Sequence, residues 1–215
     1  MKHRHPYQPI LAALLGTGLL LAPLSGWAYE DELFSLKSRW EHTTTQMEDS
    51  SERRNTLEAL AEEAEALAQE HEAEADVLVW QGIILASYAR ERSGLGALGS
   101  AKDARSVLER AIELDPQGGN GSAYVTLGAL YDRAPGRPLG FGNSETAERM
   151  FQRALEIRPN GIDTNFYYAA YLKEEGREDE ARGHAQRAVE GEAREGRQAS
   201  DEALRGEAEA LLNSL

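Results

Sequence analysis

Two stretches of this chain repeat one another, and that self-similarity limits the fold more than any other feature. Residues 104–116 read Ala-Arg-Ser-Val-Leu-Glu-Arg-Ala-Ile-Glu-Leu-Asp-Pro, and residues 147–159 read Ala-Glu-Arg-Met-Phe-Gln-Arg-Ala-Leu-Glu-Ile-Arg-Pro. Each has an alanine, a bulky apolar residue four later (Leu108, Phe151), a second alanine (Ala111, Ala154) and a closing proline (Pro116, Pro159). A third copy keeps Ala181, Ala185 and Ala188 without the proline. Spacing of three and four places these residues on one helix face, and proline ends a helix because it lacks the donor the next turn needs. Small side chains on that face let a second helix approach closely.

A helical segment precedes each copy: Ala75–Arg90, Ser122–Arg133 and residues 163–175. Each carries its own small residue, Gly82, Gly128 or Ala169, and Tyr131 and Leu172 stand three residues beyond the last two as large neighbours. The expectation is three helix hairpins, none able to bury its apolar face alone, stacked on a continuous core. Residues 30–47 and 52–70 read as a leading amphipathic pair, with Leu33, Leu36 and Trp40, then Leu57, Leu60, Ala64 and Leu67, on one face. The Asp49-Ser50-Ser51 triplet between them is a helix cap signal. Residues 200–215 read as a closing helix over the last repeat, reached by a polar linker at 191–198.

The pattern resembles the tetratricopeptide repeat, whose consensus has small residues at its eighth, twentieth and twenty-seventh places and proline at the thirty-second. Those places fall on Gly82, Ala104, Ala111 and Pro116; on Gly128, Ala147, Ala154 and Pro159; and on Ala169, Ala181 and Ala188. The resemblance implies an all-α, right-handed α-solenoid of helix hairpins with a degenerate leading hairpin and a C-terminal capping helix. The expected organisation is residues 1–28 as a signal peptide, 29–74 as the leading hairpin, 75–190 as three repeats, and 191–215 as linker and cap. The first two repeats depart from the family by insertions between their helices. Exported repeat proteins of this kind with long loops are similar to the T component of TRAP-type transporters, a group that oligomerises and carries an apolar channel. Its lipid-anchored members use a cysteine, and this chain has none.

The N-terminus has the order of a secretory signal: Lys2 to His5 basic, an apolar run from Ile10 to about Ala22, then Gly26-Trp27-Ala28 before an expected mature start at Tyr29. The alternative is a retained anchor, against which Gly16, Gly18 and Pro23 and the shortness of the run argue. A periplasmic or secreted location follows, with no membrane span after cleavage. Zero cysteines remove disulfides and thiol chemistry. The formal charge of −14, made more negative once Lys2 and Arg4 leave with the signal, repels phosphate backbones, so nucleic acid is not an expected partner.

The first insertion, residues 91–100, spells GxGxxG through Gly94, Gly96 and Gly99. The dinucleotide fingerprint needs a preceding strand, and here a helix precedes. The expectation is a turn in which Leu95 and Leu98 tuck a loop onto the helices, with no cofactor. The second insertion, 133–143, is stiffened by Pro135 and Pro138, with Leu139 and Phe141 as apolar anchors and Arg133 and Arg137 as its charges. Phe141 reads either as a packing plug or as a binding residue, and the two arginines either hold an anionic ligand group or pair with nearby glutamates.

The resemblance also implies that the first helix of each hairpin lines the concave face. Its fifth and ninth places are Val79 and Ile83, Val125 and Ala129, and Phe166 and Ala170, an apolar stripe without the Lys and Asn that hold acidic chaperone tails. Such a groove suits an apolar peptide, a partner helix or a lipid-like molecule, or else it is filled by the chain itself. His42, His71 and His184 have no second ligand at metal spacing, and no serine sits in a nucleophile elbow. No catalytic or metal residue is assigned. Three readings stand: a periplasmic adaptor holding a protein or peptide partner, alone or as a homo-oligomer; a soluble carrier of an apolar small molecule; and a hydrolase with unrecognised residues.

Overall fold

The computed structural model describes residues 25–215, so most of the expected signal peptide, residues 1–24, lies outside the described residues. The described chain is nine helices in four successive hairpins and a tail. The hairpins are α1 (Ser25–Gln46) with α2 (Ser50–Glu70), α3 (Ala75–Arg90) with α4 (Gly94–Leu114), α5 (Ser122–Arg133) with α6 (Ser144–Ile157), and α7 (Ile162–Glu174) with α8 (Glu178–Glu190). The tail is α9 (Gln198–Asn213). Among the described residues the only bridge is an isolated pair, Gly136 with Gly142, inside the second insertion.

Local chemistry sets the helix ends. Asp49 caps α2 by accepting from the Ser51 and Glu52 amides at 2.9 and 2.8 Å, and Asn143 caps α6 by accepting from the Thr146 amide at 2.7 Å. Both α4 and α6 stop two residues before a proline. After α4 the chain turns through Gly118, Gly119, Asn120 and Gly121, all with φ between 53° and 82°, a left-handed run that mainly glycine tolerates.

The small residues mark where paired helices touch. A Cβ on Gly82 would lie 2.4 Å from Leu108 Cγ, and one on Gly128 would lie 2.6 Å from Phe151 Cε1. Ala104, Ala111, Ala147, Ala154, Ala169, Ala181, Ala185 and Ala188 are all fully buried. One apolar cluster runs from Leu33 through α2, α3 and α4 to Leu130, joining the leading hairpin to the repeats.

Three expectations are corrected. The first insertion is not a loop: from Gly94 onward it is the opening of α4, and Gly96 and Gly99 lie within that helix. The reason is an apolar stripe at spacings of four, three, four and three, Ala97, Ala101, Ala104, Leu108 and Ala111, which begins among the glycines and continues past Gly99. Leu95 therefore does not tuck in; it is 88% exposed. Finally, α9 does more than cover the last repeat. It packs on α7 and α8 and also reaches back to α1, where the Ser200 amide donates to Glu41 Oε1 at 2.8 Å.

Candidate functional site

The return of α9 to α1 converts the concave face into a cavity of about 600 Å³. Its walls come from the first helices of successive hairpins, from α9, from the start of α4 and from the second insertion. Along α5 the lining runs from Ser122 to Arg133, the whole helix, or roughly 18 Å at 1.5 Å per residue. Ile83, Ala86, Val125, Ala129, Leu130, Ala203 and Leu204 supply an apolar barrel.

The two ends differ. Near the C-terminus of α5, the rim holds Leu95, Leu139, Arg90 and Arg133, all exposed, with Leu139 at 74%. The two insertions meet here: a Cβ on Gly140 would come within 3.3 Å of Leu98 Cδ1. Near the N-terminus of α5 the lining is Trp40, Ser122, Asp163, Arg197 and Ser200, of which all but Arg197 are buried.

That buried end is charged. Asp163 accepts from Arg158 Nη2 at 2.5 Å and faces Arg194 Nη2 at 3.0 Å. Asp201 receives Arg194 at both oxygens, Nη2 to Oδ1 at 2.6 Å and Nε to Oδ2 at 2.9 Å, a bidentate pair, and also takes the Arg194 amide at 2.9 Å. Burial on its own would raise the Asp163 pKa; the Arg194 and Arg158 guanidinia more than reverse that and hold it below the ordinary carboxylate value. Arg197 has no ion pair among the described residues. Its Nε donates to Ser200 Oγ at 3.1 Å, and its Cζ lies 4.6 Å from the centre of the Trp40 ring and 4.9 Å from that of the Trp80 ring. Burial, then the neighbouring Arg194 charge, pull the Arg197 pKa down to about 10. Trp40 is itself fixed, edge-on to Trp80 at 5.5 Å and donating Nε1–H to Ser87 Oγ at 2.8 Å.

Of the residues assigned from sequence, Ile83, Val125, Ala129 and Arg133 line the cavity. Val79 is buried in the core instead, against Gly119. Phe166 is not on an open groove, because Ala208, Leu204 and Leu211 of α9 cover it together with Ala188. Ala170 is half-buried and away from the lining. Arg137 is exposed and outside the cavity. Phe141 turns away from it, edge-on to Tyr131 at 5.5 Å and under Arg105 at 4.7 Å, which is the packing-plug alternative. Arg194 and Arg197 carry no sequence signal, since a polar linker has no periodicity that would mark burial, and Asp163 and Asp201, in the first turns of α7 and α9, read as ordinary acidic residues at helix starts. No group of three His, Cys, Asp or Glu able to hold a metal occurs among the described residues. No helix there is long and apolar enough to cross a membrane.

Stacked helix hairpins whose first helices surround an apolar chamber define a tetratricopeptide-type α-solenoid. The chain belongs to the TRAP transporter T-component family, whose model matches residues 34–190. Among solved structures it is similar to TTC0263, a thermophilic TPR protein in Thermus thermophilus, with a TM-score of 0.57 and 17% identity over 86% of this chain and 91% of that one. It also matches MamA, with a TM-score of 0.47 and 15% identity over 78% of this chain and 92% of that one. At such identities the first likeness speaks for the fold alone. No curated protein matches the chain.

Proposed function

We propose that this chain is an exported, periplasmic component of a TRAP-type transport system that holds an apolar or amphipathic small molecule in its cavity. The observation that carries this reading is the closure of the concave face by α9. A peptide-binding solenoid needs an open groove, and here Phe166 and its surroundings are already covered by α9. What remains is a chamber of about 600 Å³, within the ~300–1,000 Å³ range of small-molecule sites and lined mainly by apolar side chains with a few polar groups at one end. Family membership supports the link to transport, and the basic, apolar and small-residue order of the first 28 residues supports export.

A protein partner enters this reading at the rim. Leu95 and Leu139, 88% and 74% exposed, flank the open end of the cavity, and large exposed apolar side chains beside a ligand entrance suit a transient docking surface. Carriage by this chain and docking of a transporter subunit at its mouth are then successive steps of one transfer.

Native mass spectrometry tests the reading. The wild-type chain purified gently from periplasm is expected to carry a small organic ligand, and Ala129→Trp, which fills the middle of the cavity, is expected to emerge without it. A wild type that is ligand-free when purified, and that binds no member of a panel of apolar and amphipathic compounds, overturns it.

A further inference from the structure

We propose that the buried end of the cavity is an anion subsite in which Arg197 grips the carboxylate of an amphipathic monocarboxylate whose tail lies along α5. This rests on the reading of the cavity as a small-molecule site and names what that site selects.

The first argument is charge. The network at this end holds three guanidinia, Arg158, Arg194 and Arg197, and two carboxylates, Asp163 and Asp201. Around them, Lys37 sits over Trp80 with Asp76 acting on it, and Glu41 accepts the Ser200 amide, so cations and carboxylates are equal in number and what matters is which of them are paired. Both carboxylates of the network are committed to Arg158 and Arg194, and Arg197 is the member left without an ion pair. A charge drawn out of water and left without a counterion is costly, and the open volume beside it is the place for one.

The second argument is geometry. The Arg197 guanidinium lies against both the Trp40 and the Trp80 rings, and Ser200 takes only Nε. A cation–π contact uses none of the N–H donors, and the two terminal nitrogens donate to nothing among the described residues. Those donors match the two coplanar oxygens of a carboxylate. One carboxylate supplies the ion pair that Arg197 lacks, whereas a dianionic phosphate brings a second charge with no guanidinium to meet it. From Arg197 the lining becomes apolar through Val125, Ala129 and Leu204 before it reaches Leu139 and the arginines of the rim, so the part of the ligand that lies along α5 is hydrocarbon.

Isothermal titration with decanoate, decanol and decyl phosphate tests this, with the tryptophan fluorescence of Trp40 as a second readout. The wild type is expected to bind decanoate at least about tenfold more tightly than decanol, the size of one charge-assisted hydrogen-bonding pair. Arg197→Gln is expected to bind decanoate no better than decanol while its affinity for decanol stays at the wild-type value, which shows that the chamber is intact. Equal binding of decanoate and decanol by the wild type, or unchanged decanoate binding by Arg197→Gln, refutes the subsite and leaves the small-molecule reading standing. Decyl phosphate binding more tightly than decanoate refutes the single-charge assignment. Binding of none of the three refutes both readings.

Discussion

Replacing Asp163 with asparagine removes one charge and almost nothing else, because the amide keeps the size of the side chain and an acceptor for the Thr164 amide, now 2.7 Å away. The side chain is 7% exposed and lies between Arg158, 13% exposed, and Arg194, 20% exposed, so solvent screens the pairs little. Taking away one partner of such a buried pair costs ~3–5 kcal/mol, mostly the penalty of the charges left behind. For a domain of this size each kcal/mol moves the midpoint by ~2–4 °C, which gives a fall of ~6–20 °C. Asp201 still satisfies Arg194, and that argues for the lower half of the range. Thermal unfolding at pH 7 followed by circular dichroism reads it directly. The pH dependence supplies a sharper check. The Asp163 pKa is depressed in the folded state, so its contribution is complete above the unfolded value, ~3.9, and is lost as pH falls through the lower folded value. The gap between wild type and Asp163→Asn should therefore be constant from pH 7 to about 5 and shrink below about 4. A variant melting within ~2 °C of wild type at pH 7, or a gap that widens in acid, would refute the ion-network argument.

Two glycines in helices should answer alanine with opposite signs. Gly128→Ala gains ~1 kcal/mol of helix propensity but drives a Cβ to 2.6 Å from Phe151 Cε1, a ring backed by Tyr168 and Tyr171, and overpacking of ~1–3 kcal/mol should leave the variant less stable. Gly206→Ala meets nothing within 4 Å and should stabilise by up to ~1 kcal/mol; denaturant midpoints that move the same way for both would contradict the hairpin packing. Burial, then the Arg187 charge, lower the His184 pKa to about 4. With the folded value below the unfolded ~6.5, the neutral form is the stable one, and stability is expected to decline as pH falls from about 6.5 toward 4; a proton resonance assigned to the His184 imidazole and titrating near pH 6.5 in the folded protein would exclude this.

What was legible in the sequence was local. The bounds of α3 and α5 follow from hydrophobic period and turn residues, and the helix contacts at Gly82 and Gly128 follow from small residues at repeat spacing. All of these involve residues within one hairpin. The start of α4 was misread because three glycines outweighed the stripe of Ala97, Ala101 and Ala104 that continues into Leu108. The groove stripe was half legible: Ile83, Val125 and Ala129 reached the cavity, and Phe166 did not because α9 lies over it. The contact that decides this, Glu41 with Ser200, spans 159 residues and has no periodic signature. Nothing in the composition of the linker distinguishes Arg194 and Arg197, drawn into the ion network, from Arg182 on the solvent face of α8.

The insertions and the C-terminal helix are best understood together. A solenoid of uninterrupted repeats has a concave face open along its whole length, and one extra helix can close only the part it crosses. Here α9 enters at the N-terminal ends of α5 and α7, where Arg194 and Arg197 anchor its approach, and it reaches α1 through Ser200. Towards the C-terminal ends of α3 and α5 the wall is built instead by the first turns of α4 and by the loop around Pro135 and Leu139. Those pieces are the two insertions that break the repeat spacing. A repeat array with the consensus spacing would lack both and would leave the cavity without its rim. The departures from the family pattern thus fall where a solenoid must depart from it to become a chamber, and the linker that seals one end is also the segment that brings Arg197, without an ion pair among the described residues, to the cavity.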